Sequence, residues 1–241
     1  MMAPRVQSRP DQVAELTRGV QLPLPAIADV HIGIVAEGLI AAYEDLCLRK
    51  PVAMASGDEP EVTALMEARL NSLIDENVLW GQLVLCVARG KESISFDGSH
   101  LEKRPDLSIY LSDRSRRFPL VVEAKILDGT DSRTVASYCG DHGLLRFVKG
   151  EYAWASREAF MLAYVRDGSS IASKLRPRLA EAMALSPPMY LVEALPVQVS
   201  SAGQDLAHTR HGRDFVHVGQ TPPSNPGSIS VWHLWLSCAE G

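Results

Sequence analysis

The sequence predicts an α/β layered fold, and three observations carry that prediction. Residues 57–76 hold Val62, Leu65, Met66, Leu70 and Leu73 as one stripe at helical spacing. Strand-like runs follow at 83–88, 107–111 and 118–126, and a helical stretch over 132–146 separates them from a fourth run at 159–165. The resulting order of helix, three strands, helix, strand and helix calls for a sheet layered with helices. The chain has 241 residues, 46% hydrophobic and 22% charged, enough for one large core, which excludes intrinsic disorder, collagen and coiled-coil arrays.

Taken in order, residues 1–25 are polar and proline-dotted and read as a flexible segment. Ile32, Val35, Leu39 and Leu46 then recur at helical spacing, so 26–56 reads as an N-terminal amphipathic helix ending near Lys50 and suited to packing or dimerisation. In the next helix Asp58 can cap, Pro60 suits the first turn, and the stripe ends near Glu76. A last core helix spans 170–185, with Pro177 either kinking it or marking its start. These elements make a core over 57–187. After Pro187-Pro188 come a strand at 190–195, a loop at 219–228 and a strand at 229–236. Residues 188–241 thus form a C-terminal extension packed on the core, as an edge of the same sheet or as a small cap.

With 24 Lys plus Arg against 29 Asp plus Glu, the formal charge of −5 excludes a chain that coats nucleic acid indiscriminately, though not one with a local basic groove. Cys47, Cys86, Cys139 and Cys238 lie far apart without a Cys-x-x-Cys pair and read as reduced, mostly buried thiols. Residues 1–20 lack an apolar run, and the hydrophobic stretch 26–43 is broken by Asp29, His31 and Glu37, so the expectation is a cytoplasmic chain with no membrane partner.

The chemistry concentrates in Arg104-Pro105-Asp106-Leu107-Ser108-Ile109-Tyr110-Leu111 and Phe118-Pro119-Leu120-Val121-Val122-Glu123-Ala124-Lys125-Ile126. Both alternate around the polar turn 112–117, which predicts an antiparallel hairpin. A turn centred between Arg114 and Ser115 makes cross-strand partners sum to 229, so Leu107 faces Val122, Ile109 faces Leu120 and Leu111 faces Phe118. The same register sets Asp106 opposite Glu123, with Lys125 on that second face. Opposed Cβ atoms lie about 5 Å apart, close enough for two carboxylates to share a divalent cation. Two acids this close repel, and a cation relieves that repulsion.

This hairpin resembles the active-site signature of the PD-(D/E)XK nuclease superfamily, with Pro105-Asp106 as its first element and Glu123-Ala124-Lys125 as its second. The resemblance covers roughly residues 57–185. It implies a restriction-endonuclease-like αβββαβ core, a mixed central sheet flanked by helices, plus the N-terminal helix and C-terminal strand extension. It further implies a deoxyribonuclease in which Asp106, Glu123 and the following Ala124 hold Mg²⁺, with Mn²⁺ as a substitute. Lys125 positions or activates the attacking water. A glutamate of the preceding helix completes the site: Glu59 lies on the sheet-facing side, and Glu61 points more sideways but near an entry whose geometry is open. Both also suit a helix N-terminus for electrostatic reasons alone. A role in bacterial restriction or phage defence, as a homo-oligomer or with a partner subunit, follows by analogy. A catalytically inactive nuclease-like binding or assembly module is the alternative.

Lys103, Arg104, Arg146 and Lys149 are the candidate DNA contacts, while Arg114, Arg116 and Arg117 suit a solvated turn equally well. From Arg146 to Trp154 cationic and aromatic residues interleave, as in a nucleic-acid surface or in core aromatics with snorkelling bases. His208-Thr209-Arg210-His211 lacks the further ligands zinc requires and reads as a phosphate contact or a polar strand. In Trp232-His233-Leu234-Trp235, a buried or interfacial strand, His233 reads as a satisfied core histidine.

Overall fold

The computed structural model describes residues 9–99, 103–200, 203–217 and 222–238. Its strands in chain order are β1 (Val84–Arg89), β2 (Leu107–Leu111), β3 (Leu120–Leu127), β4 (Glu158–Val165), β5 (Val192–Gln198), β6 (Asp205–His211) and β7 (Ile229–Leu236). They form one seven-stranded mixed sheet in the order β1-β2-β3-β4-β7-β6-β5. The first three run as an antiparallel meander, β3, β4 and β7 are parallel, and β7, β6 and β5 are antiparallel again. Covered on both sides, β4 is buried at every residue, which explains the unbroken apolar run 159–165 that follows Glu158.

The helices are α1 (Arg9–Thr17), α2 (Asp29–Arg49), α3 (Pro51–Ser56), α4 (Glu59–Glu76), α5 (Val78–Leu83), α6 (Val135–Cys139), α7 (Leu145–Val148) and α8 (Arg176–Met183). The stripes of α2 and α4 pack on the sheet face of Leu107, Ile109, Leu120 and Val122. The opposite face carries Val121, Met161 and Ala163, covered by Tyr138, Phe147 and Leu179 from α6, α7 and α8. A smaller cluster joins Val13 of α1 to Leu22, Phe118, Trp154 and Phe215.

Several expectations meet a different local structure. Within 1–25, residues 9–17 are helical, because Val13 has an apolar partner set that lies far along the chain. The segment 26–56 is two helices: Pro51 has no N–H to continue α2, and it opens α3 instead. Residues 132–146 split into α6 and α7, because the chain turns sharply at Gly143, where a Cβ would lie 2.0 Å from the Tyr138 carbonyl oxygen. Over 170–185 a single π-helical turn, Ile171–Leu175, precedes α8, and Pro177 sits in the first turn of α8, where its missing N–H costs nothing. The strand expected at 190–195 begins at Val192, after a short 3₁₀ turn. The loop at 219–228 lies partly outside the described residues. The C-terminal extension continues the sheet and is not a cap, with β7 inserted between β4 and β6.

The expectation of reduced, mostly buried thiols is corrected. Cys47 at the end of α2 and Cys238 beyond β7 form a disulfide, Cys86 is exposed, and only Cys139 is a buried free thiol. Sequence spacing gave no hint, because the two partners are 191 residues apart and meet only when β7 threads the sheet beside α2. Among the described residues no helix is long and apolar enough to cross a membrane.

Candidate active site

The β2–β3 register is the predicted one: Leu107 pairs with Val122, Ser108 with Val121 and Ile109 with Leu120. It stops short of Leu111 and Phe118, because β3 starts only after Pro119 and the Phe118 N–H closes the turn on the Ser115 carbonyl at 3.0 Å. Extended by one step, the register sets Asp106 beside Glu123. Asp106 Oδ2 accepts the Ala124 N–H at 2.7 Å, which ties the start of β2 to the middle of β3.

Lys125, on the same face, lies at the centre of the cluster. Its Nζ donates to the Ala124 carbonyl at 2.6 Å and to Glu59 Oε1 at 2.9 Å, with Glu123 Oε1 at 3.0 Å and Asp106 Oδ2 at 3.7 Å. Burial acts to lower the Lys125 pKa, but the carboxylates of Glu123, Asp106 and Glu59 outweigh it, and the net shift is upward. The ammonium therefore stays charged.

Glu59 arrives from the first turn of α4. Asp58 caps that helix by accepting the Glu61 N–H at 2.8 Å, and Pro60 follows as expected. Glu59 Oε2 also accepts the Ile126 N–H at 3.3 Å, so the helix start is latched to β3. Glu61 is exposed and is not brought into the cluster. Arg166, which no sequence pattern singled out, follows β4 and donates to the Met54 carbonyl at 3.1 Å and the Gly57 carbonyl at 2.8 Å, holding the α3–α4 turn over the sheet.

Glu123 is 1% exposed. Burial and the neighbouring Asp106 push its carboxyl up to about 8, against the opposing pull of Lys125 and Arg146. Arg146, at the start of α7, donates to Glu123 Oε1 at 2.9 Å and to the Tyr152 hydroxyl at 2.8 Å. Glu123 Oε2 is buried with no hydrogen-bond partner among the described residues. Three carboxylates thus face two fixed cations, leaving the cluster one negative charge in excess when all are ionised.

The other candidate DNA contacts lie apart and carry acidic partners: Lys103 with Glu151 at 2.8 Å, Arg104 with Glu92 at 2.6 Å and Lys149 with Asp141 at 2.6 Å. Arg114 donates to the Pro25 carbonyl, and Arg117 to those of Leu16 and Arg18, so these turn residues fasten the N-terminal segment. The zinc-like His208–His211 stretch is strand β6. Its His211 is fully buried and shares Thr209 with His233.

Among the described residues no three His, Cys, Asp or Glu side chains are grouped so as to hold a metal ion by themselves. Besides Glu59, which Lys125 and the Ile126 N–H engage, the oxygen donors that converge are two carboxylates, Asp106 and Glu123, and the Ala124 carbonyl. Compared with protein-family models, curated proteins and solved structures, the chain matches none.

Proposed function

We propose that the chain is a metal-dependent endonuclease of the PD-(D/E)XK kind, hydrolysing DNA phosphodiester bonds at the cluster of Asp106, Glu123, Lys125 and Glu59. The observation that carries this reading is the gathering of Glu59, Glu123, Asp106 and the Ala124 carbonyl around a single ammonium. A restriction-endonuclease-like core is supported by the chain order αβββαβ and by neighbouring strands β1-β2-β3-β4, in which β2 alone runs against the rest.

The donors suit a hard divalent cation: they are all oxygens, the cluster carries one excess negative charge when all its carboxylates are ionised, and Glu123 Oε2 lacks a partner. Asp106, Glu123 and the Ala124 carbonyl are the residues that would hold it. When bound, Mg²⁺, or Mn²⁺ in its place, supplies Lewis-acid polarisation of the scissile phosphate and neutralises charge on the departing oxygen. The protein's own groups do the positioning. Lys125, kept protonated by its acidic neighbours, orients a water oxygen and stabilises charge building on the phosphoryl group as a donor, not as a proton acceptor. Glu59 aims that ammonium, and Arg146 holds Glu123. Arg146 is also the candidate phosphate contact nearest the acids, whereas Lys103, Arg104 and Lys149 would have to exchange carboxylate partners for phosphates. A part in restriction or phage defence, with a second copy or a partner subunit, rests on the resemblance alone.

The test is nicking of supercoiled plasmid. Cleavage is expected with Mg²⁺ or Mn²⁺, absent in chelator, and lost in Asp106→Ala and Lys125→Ala variants that keep the wild-type circular dichroism spectrum. Absence of cleavage with every metal and strand state would favour the binding-module alternative.

A further inference from the structure

Beside the acids, on the same sheet face, lies a cavity of about 400 Å³ that the chemistry above does not use. It opens one two-residue step along each strand from the cluster: Ser108 follows Asp106 on β2, and Val121 precedes Glu123 on β3. Such a step is about 6.7 Å. Cavities from about 300 Å³ upward accommodate small organic ligands.

Its walls are aromatic, and its rim carries Lys91, Arg116 and Arg117 beside one acid, Glu92, which pairs with Arg104. Trp154 and Phe118 meet edge to face at 5.7 Å, and Tyr110 completes the aromatic side. Tyr110 is 7% exposed, and its hydroxyl is buried with no hydrogen-bond partner among the described residues. Lys91 Nζ lies 4.8 Å from the centre of the Tyr110 ring. Lys91 and Arg116, both exposed at the rim, have no ion-pair partner among the described residues, unlike Lys103, Arg104, Arg146 and Lys149. The wall is also held in place: Trp154 Nε1 donates to the Ile94 carbonyl at 2.6 Å, and Arg213 donates to the carbonyls of Ala153, Trp154 and Ser156.

The aromatic wall offers a stacking surface, Tyr110 adds a polar group left without a partner, and the unpaired cations at the mouth suit a phosphodiester. We infer that this cavity receives an unstacked nucleobase of the nucleic-acid strand whose adjoining phosphate lies at Asp106 and Glu123. The inference rests on the nuclease reading and adds its substrate class: a strand whose base beside the cut is free of its duplex partner, either single-stranded or flipped.

The experiment uses the full chain and end-labelled single-stranded oligodeoxynucleotides in which one abasic position is walked along the sequence. Affinity is read by fluorescence anisotropy in Ca²⁺ buffer, and the cut position on a gel in Mg²⁺ buffer. One abasic position, next to the cut, is expected to weaken binding roughly 5- to 150-fold, the scale of one base on an aromatic surface. In Trp154→Leu that penalty falls below twofold. Should that variant fail to fold, Tyr110→Phe, which removes only the hydroxyl, is expected to reduce the penalty partially. Arg116→Ala weakens intact and abasic strands equally, with a shallower salt dependence. A cleaving enzyme with a flat abasic profile overturns the cavity assignment and leaves the nuclease reading standing. A sharp abasic profile without cleavage supports the base site while removing the catalytic reading, and neither binding nor cleavage overturns both. A cavity variant that changes oligomeric state by light scattering, but not strand affinity, assigns the cavity to a second copy and overturns the inference.

Discussion

Glu59 and Glu61 are two residues apart on one helical turn, yet only Glu59 reaches Lys125, because a 200° rotation separates their directions. Glu59→Gln keeps an oxygen for the ammonium but removes the charge, and is expected to lower the nicking rate roughly 10- to 100-fold in single-turnover assays. Glu61→Gln, exposed and outside the cluster, stays within about twofold. Deeper in the molecule a polar chain runs Tyr138, His233, Thr209, His211 and the Tyr190 carbonyl, at 2.9, 2.7, 2.8 and 2.9 Å. That carbonyl can only accept, so His211 carries its proton on Nδ1, Thr209 donates to His211 Nε2, and His233 carries its proton on Nε2, while the Tyr138 hydroxyl shares its proton between His233 Nδ1 and the Met161 carbonyl at 3.1 Å. Burial holds His211 down to about 4 and His233 well below its ordinary value. Both imidazoles are therefore expected to keep those neutral tautomers from pH 8 to pH 5, as ¹⁵N chemical shifts would report. Titration between those limits would break the assignment. The linkage sign follows: the folded state binds fewer protons at these rings than the unfolded one, so their contribution is complete above about pH 6.5 and is withdrawn as pH falls towards 4. Glu123 acts in the opposite sense, its contribution present in acid and lost as pH rises through about 8.

Elements with a single strong period were legible. Strands 107–111 and 229–236 match residue for residue, as does the end of α4 at Glu76, and the hairpin register emerged from turn length and alternation alone. Short helices were not, and the polar strand was read only over 208–211, as one of two alternatives. The sequence of β6 alternates weakly because Thr209 and His211 are buried yet polar, and their outside partners, His233 of β7 and the Tyr190 carbonyl, lie far along the chain. Helix α5 is held mainly through Trp80, which packs against α2 at Gly38, where a Cβ would stand 2.3 Å from the indole ring, and whose Nε1 donates to the Leu70 carbonyl at 2.9 Å. Gly38→Ala accordingly forces the indole out of its seat, at an expected cost of about 1–3 kcal/mol in urea unfolding, despite the better helix propensity of alanine. An unchanged midpoint would mean that α2 and α5 separate without penalty.

At the scale of the whole molecule, the Cys47–Cys238 bond closes nearly the entire chain, joining residues 191 positions apart. Loop-closure entropy for that length corresponds to about 5 kcal/mol of destabilisation of the unfolded state. Reductant, or Cys47→Ser, is therefore expected to lower the thermal midpoint by roughly 10 to 20 °C, while a non-reducing peptide map recovers the linked pair. The bond also anchors the segment after β7 to α2, so the sheet and the helical layer over Leu107 and Val122 are joined covalently.

Local pattern alone determined the α/β class, the principal helices and strands, and the opposition of Asp106 to Glu123 with Lys125 beside them, because a hairpin is a short-range object whose register follows from a few residues. Tertiary structure decided the rest: Glu59 over Glu61, the recruitment of Arg146 and Arg166, the pairing of Cys47 with Cys238, and the insertion of β7 beside β4. Each of these joins groups distant in sequence, and their contact energies exist only after the sheet has closed the intervening loops.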